Sequence, residues 1–352
     1  MTNPIAKELP PHVIIKIVQC CIAGLKPKLD VLSLCSDLYL AAIPILYRSP
    51  KVTSKLDSFF LHTKPSPSTP SLNLSDRELV KAGHTKLAAL RHVHRLQVTF
   101  PTLNIIAPSK QQAEAAQQLA RAEKELRSLH VPRGVMPKLS AVYIMAAEPY
   151  SDHKLGPFYQ KSSFNELLLE RSRPSLWCHN PAHVESIPFT LFDMAAEDPA
   201  FIPPTLHLHT RARDYEFYIL VGGTTVVYLL DTPGAALPDS KTLASWLGEQ
   251  ISESFNIALD GAPEDKQREV MGRTRIRFFG KLSEGEGQMG MAGGFGLKTS
   301  FGRQFAEAMF CKEVQMAFMK GIDDPPQQYV PLNLEVSLGE DTAGCEVCGA
   351  RV

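Results

Sequence analysis

The groups in this chain that could do chemistry are thiols and imidazoles at short spacing. Cys345-Glu346-Val347-Cys348 is a C-x-x-C pair, and two thiolates supply half of a tetrahedral zinc site. The stretch Trp177-Cys178-His179-Asn180-Pro181-Ala182-His183 offers three further donors, Cys178, His179 and His183, that would complete such a site. Structural zinc sites normally show a second close pair at regular spacing, whereas this pairing is distant and irregular. The expectation is therefore a solvated C-terminal tail with two free thiols. A thioredoxin-like redox role is expected still less, because that motif belongs at a helix start after a strand. His92 and His94, and again His207 and His209, stand at i, i+2, on one face of a strand. Two such imidazoles can hold a metal. No carboxylate stands beside them at a helpful spacing, and exposed strand faces explain them equally well.

Residues 285–296 (GEGQMGMAGGFG) form the obvious glycine-rich stretch. Phosphate-cradling loops use backbone N–H groups beside a helix start. Gly285-Glu286-Gly287-Gln288-Met289-Gly290 matches GxGxxG, but no helix is expected to open on it; GxxxxGK[ST] is absent and Lys298-Thr299-Ser300 follows at the wrong spacing, so a flexible loop is the simpler reading. HExxH, GxSxG and DxDxDG are absent as well. Cys35 or Cys178 as a nucleophile would need a positioned base and a depressed pKa, and nothing in the sequence supplies either. The basic stretch 81–95 reads as a solvated helix-to-strand face. The expectation is no catalytic residue, no cofactor and no metal.

Composition narrows the function classes. Lys+Arg and Asp+Glu both number 37 in 352 residues, so the formal net charge is zero. Nucleic-acid binders draw affinity from a basic field that neutralises phosphates, and no such global bias exists here. With 44% hydrophobic residues the chain can bury a substantial core. No apolar run is long enough to span a bilayer, and the first residues lack the layout of a secretory leader. Seven cysteines make no dense disulfide framework, and an odd number cannot all pair. Reduced thiols in the cytosol or nucleus are the expectation.

The elements that must position these groups follow from periodicity. Residues 11–25 predict a helix with Pro11 in its first turn and Ile14, Ile17, Val18, Cys21 and Leu25 on one face. A second helix is expected with Asp30 as N-cap, continuing over 40–46 with an interruption at Pro44. Residues 64–71 (KPSPSTPS) read as an extended linker. Beyond it, strands are expected over 93–100, 139–146, 205–210, 217–220, 226–230, 274–279 and 332–338. Helices are expected over 111–129, 163–172, 243–255 and 301–319. Strand, loop and helix in repeated order argue for parallel strands joined by helical crossovers. The L-x-L pattern at Leu206/Leu208 and Leu332/Leu334, and the run from Leu90 to Val98, come close to leucine-rich repeats. Spacings of roughly 40 to 65 residues in places exceed the roughly 20–29 of regular repeats. The fold class is therefore α/β: a small N-terminal helical module followed by an irregular leucine-rich-repeat-like solenoid, with a three-layer α/β domain as the main competitor.

The N-terminal fifty residues resemble the F-box, most closely its fungal forms. Leu9-Pro10 with Ile14, Ile17 and Val18 matches the first helix. Asp30-Val31-Leu32-Ser33-Leu34-Cys35-Ser36 matches the second, and Leu38, Leu40, Ala42, Pro44, Leu46, Tyr47 and Arg48 complete the pattern. His12 stands where the family usually has an acid, and residues 24–29 form a longer, more basic insert. The resemblance implies a ligase adaptor that is not an enzyme. It would bind the Skp adaptor of a cullin–RING ubiquitin ligase through Leu9, Pro10, Ile14, Ile15, Leu32 and Cys35, and a protein substrate through the α/β region. Neither nucleic acid nor membrane is an expected partner. The implied division is an F-box-like module at 8–50, a linker at 64–71, an α/β domain at 86–338 and a flexible tail at 339–352. Two alternatives stand beside it: an α/β protein with an unidentified enzymatic activity, and an interaction scaffold without ligase coupling.

Overall fold

A computed structural model describes residues 10–22, 36–52, 59, 74–100, 110–128, 136–146, 163–179, 187–210, 217–230, 239–281, 300–323, 331–338 and 344–349. The described residues divide into two compact units. The first runs from Pro10 to Val142, with Ala146 and residues 163–174, and the second takes Tyr143–Met145 and everything from Ser175 on. The linker expected at 64–71 lies outside the described residues.

The first unit opens on α1 (Pro11–Ile22) and α2 (Ser36–Leu46). Val18 and Ala42 are fully buried against each other, with Ile22, Leu38, Ala41 and Leu46 packed around them. Pro10 caps the start of α1, its carbonyl accepting from the N–H groups of Val13 and Ile14. Ile14 is half-buried and Ile15 is 45% exposed. Leu9, Asp30, Leu32 and Cys35 lie outside the described residues. The expected interruption at Pro44 does not occur, and α2 runs through it. Proline so near a C-terminus removes a single donor, and the next turn still closes because Tyr47 N–H donates to the Ile43 carbonyl at 3.0 Å.

The unit continues with β1 (Lys51–Val52), α3 (Asp76–Lys81), α4 (Thr85–Leu90), β2 (Arg95–Phe100), α5 (Lys110–Ser128), β3 (Ala141–Ala146) and α6 (Ser163–Ser172). Strands β1 and β2 pair in parallel, Lys51 opposite Gln97. Helix α3 starts at a reciprocal capping box. Glu78 N–H donates to Ser75 Oγ at 3.3 Å, and Ser75 N–H donates to Glu78 Oε2 at 2.7 Å.

The second unit holds β4 (Leu176–His179), α7 (Ile187–Glu197), β5 (Thr205–Thr210), β6 (Thr224–Leu229), α8 (Ser240–Ala258), α9 (Glu264–Arg273), β7 (Arg275–Gly280), α10 (Ser300–Gly321) and β8 (Asn333–Leu338). Strands β4 to β8 lie side by side in chain order, every pair parallel. The result is a mixed α/β fold, a parallel sheet flanked by helices. Alternation is plain on β7, where Ile276, Phe278 and Gly280 are buried while Arg275 and Arg277 are exposed. The buried side meets the helices: Phe278 stacks on Phe310 of α10 at 5.5 Å, and Phe318 of α10 packs edge-on to Phe255 of α8 at 5.4 Å. Strands β5 and β6 are buried on both faces after their first residue, so something also covers their other side.

Residues 217–220 are not the expected strand. Three of their N–H groups are satisfied by side chains instead of a neighbouring strand. Phe217 donates to Gln250 Oε1 at 2.7 Å, Ile219 to Ser254 Oγ at 3.0 Å and Leu220 to Thr225 Oγ1 at 2.8 Å. An apolar run can satisfy its backbone in either way, and periodicity does not distinguish them. No described helix is long and apolar enough to cross a membrane.

Candidate metal centre

Cys178 of β4 stands opposite His207 of β5 in the parallel register. His209 follows two residues on, and strand alternation returns it to the same face. The turn at residues 344–349 brings Cys345 and Cys348 to that face, closed by a 2.8 Å hydrogen bond from Gly349 N–H to the Cys345 carbonyl. One ligand atom from each of Cys178, His209, Cys345 and Cys348 then lies within 4.8 Å of all the others.

Two of the separations match the edges of a tetrahedral site. Bonds of about 2.3 Å to sulfur and about 2.0–2.1 Å to nitrogen require S···S edges of about 3.8 Å and S···N edges of about 3.5 Å. Cys178 Sγ lies 3.7 Å from Cys345 Sγ, and Cys348 Sγ lies 3.5 Å from His209 Nε2. Cys178, Cys345 and His209 are 0%, 3% and 4% exposed, and Cys348 is half-buried. The expected solvated tail with two free thiols is thus corrected. Cys345 is seated among Cys178, Val226 and Tyr228, with Tyr143, Phe279 and Val347 packed against them. The expected exposed histidine face is corrected too, since this turn covers it.

The thiols and the imidazole shift one another's protonation. Burial pushes the Cys178 thiol well above its ordinary value. Hydrogen bonds from Cys178 and Cys348 draw the Cys345 thiol down against burial. Burial pulls His209 down, but the sulfurs of Cys345 and Cys348 outweigh it and raise the imidazole to about 9. Three sulfurs sharing one dry pocket cannot all carry charge without a cation, and a bound divalent ion removes that conflict.

Rings orient the nitrogen ligand. Nδ1 of His209 is buried with no hydrogen-bond partner, so the usual carboxylate or carbonyl partner of a metal-bound histidine is absent there. Instead the His209 ring lies parallel to Tyr228 at 4.8 Å and 8°, and Tyr228 lies parallel to Phe279 at 5.3 Å and 10°. The Arg277 guanidinium closes the ladder 5.5 Å from the Phe279 ring centre and pairs with Glu335 at 3.0 Å. His209, Tyr228 and Phe279 are register neighbours on β5, β6 and β7.

Of the donors proposed from sequence, Cys178, Cys345 and Cys348 come together, and His209 takes the fourth corner. His183 and residues 285–296 lie outside the described residues, and so does the side chain of His179. His92 does have a carboxylate that its local spacing did not reveal, Nε2 standing 2.6 Å from Asp76 Oδ2, while His94 is exposed. The i, i+2 pair His207/His209 was the one signal available for the missing nitrogen ligand. The expectation of a pure adaptor that is not an enzyme is corrected by this cluster. Four ligand atoms converging in a buried cluster could hold a metal ion, a capacity for which a pure adaptor scaffold has no need. Comparison with family models, with curated proteins and with solved structures returns no match for this chain.

Proposed function

We propose that this chain is a metalloprotein that holds one zinc ion through Cys178, His209, Cys345 and Cys348. The observation that carries the reading is the match between the 3.7 Å S···S and 3.5 Å S···N separations and the edges of a zinc tetrahedron. A Cys3His donor set is soft and tetrahedral, which favours zinc over oxygen-seeking magnesium or calcium. The ion would tie the turn at residues 344–349 to strands β4 and β5, covering the face of the sheet opposite the helices. The chain-order neighbours of β4 to β8 support an irregular leucine-rich-repeat-like solenoid as the carrier. A doubly wound sheet would reverse its strand order at a switch point.

The test is metal analysis of the purified full chain, with cobalt substitution. One zinc per chain and a tetrahedral thiolate–cobalt spectrum, both lost in Cys178→Ser, are expected. A metal-free chain that takes up no cobalt would sink the proposal.

Cys348 favours a second reading, because it is the least buried ligand and sits in a turn. Its departure would leave Cys178, Cys345 and His209, a three-ligand set with one open position, as in catalytic zinc sites. Binding of an added anion such as azide to the cobalt form, seen as a spectral change, would support that reading. An unchanged spectrum would favour the closed structural site.

A further inference from the structure

We propose that His207 is the positioning residue of this centre, donating its Nδ1–H to the Cys345 sulfur and thereby setting metal affinity. The inference rests on the zinc reading above. A zinc ion with three thiolates and one neutral imidazole leaves a net charge of −1 in a buried pocket. Such a charge needs hydrogen-bond donors aimed at the sulfurs. His207 is 3% exposed, and its Nδ1 lies 3.4 Å from Cys345 Sγ.

The same nitrogen lies 3.4 Å from the Tyr228 hydroxyl. In the metal-free protein that contact can run either way. With metal bound, Cys345 is a thiolate and can only accept. A favourable contact then requires the proton on Nδ1, and metal binding selects that tautomer. The ring is held for the task by Tyr228, stacked on it at 5.8 Å and 22°. His207 therefore acts on Cys345 as outer-shell partners act on the ligands they orient. It shares its strand with the ligand His209, and its register position faces the ligand Cys178.

The experiment uses the full chain, with zinc affinity measured by competition against a chelating dye and thiolate ligation followed by the cobalt charge-transfer band. His207→Phe keeps a ring beside Tyr228 but has no donor, whereas His207→Gln restores an N–H. The expected result is affinity weakened by about ten- to hundred-fold in His207→Phe, in the range seen for lost outer-shell partners. The cobalt band should move to lower energy, and His207→Gln should recover most of both changes. Wild-type binding with an unchanged affinity and band in His207→Phe would overturn the role of His207 and leave the zinc site standing. Failure of the wild type itself to bind would overturn the site and this inference together. Should His207→Phe not fold, histidine-selective 15N NMR of the zinc-loaded wild type decides. A proton on Nδ1 of His207 supports the assignment, and a bare Nδ1 with the proton on Nε2 refutes it.

Discussion

Replacing Cys345 by serine should uncouple the stability of the second unit from zinc. Cys345 is the natural choice because its sulfur lies 3.7 Å from Cys178 Sγ and 3.4 Å from His207 Nδ1, and it is 3% exposed. A ligand that binds only the folded state adds about 1.4 kcal/mol per tenfold rise in its free concentration above Kd, reaching about 4.1 kcal/mol at a thousandfold excess. The structure gives a second route to the magnitude. A bound ion would join Cys178 and Cys345, which are 167 positions apart in the chain. A cross-link of that span removes about 5 kcal/mol of chain entropy from the unfolded state in the loop-closure model. The first figure is set by the free zinc concentration and the second by the chain span, so the rise per decade of zinc is the quantity to measure. The assay is urea unfolding of the full chain in zinc buffers of rising free concentration. With a slope of about 1–3 kcal/mol per molar urea, the wild-type midpoint should climb by about 0.5–1.4 M per decade of zinc. In Cys345→Ser the climb should vanish over the same range. A wild-type midpoint indifferent to zinc, or a Cys345→Ser midpoint that climbs equally, would refute the reasoning.

Three further predictions concern the scaffold. Ser254→Ala strips the fully buried acceptor of the Ile219 N–H and should cost about 1–3 kcal/mol in urea unfolding; a cost within error of zero would mean that water replaces the hydroxyl. Gly248→Ala places a methyl 2.5 Å from the Ala317 Cβ and 2.8 Å from the Val314 carbonyl, where α8 meets α10. It should destabilise by about 1–3 kcal/mol despite the better helix propensity of alanine. The Ser75 hydroxyl and backbone N–H hold the exposed Glu78 carboxyl below its ordinary value of 4.5. A lowered folded-state pKa gives stability that is present above that ordinary value and lost as pH falls through the lowered one. Protection factors of α3, which divide out the intrinsic pH dependence of amide exchange, should therefore fall in acid, and Glu78→Gln should abolish that fall.

Part of the order of strands and helices was legible in the sequence because it is carried by local periodicity, while β1, α3, α4, α7 and α9 were not predicted. Residues 205–210 and 163–172 predict their elements to the residue, and the helix at 110–128 to within one. Elements that depend on context escaped. Strand β4 is four residues long, too short for an alternation to declare itself. Residues 217–220 look like a strand, yet side chains of α8 claim two of their N–H groups. The pairing of His92 with Asp76 also joins residues 16 positions apart, across two helices.

The candidate metal centre divides along the same line. The sequence alone determined that Cys345 and Cys348 can ligate one ion, because a C-x-x-C turn places two thiols within reach of a common point. It also determined that His207 and His209 share a face, because a strand repeats every two residues. Three things belonged to the tertiary structure: the register that sets Cys178 opposite His207, the chain-order packing that places β4 beside β5, and the return of the last turn onto those strands. Each joins residues more than twenty positions apart, and no local pattern records such a distance. The same return explains why two histidines expected in solvent are buried. Their exposure was decided by a segment 135 or more residues further along the chain, whose cysteines meet their rings at separations of 138 and 139.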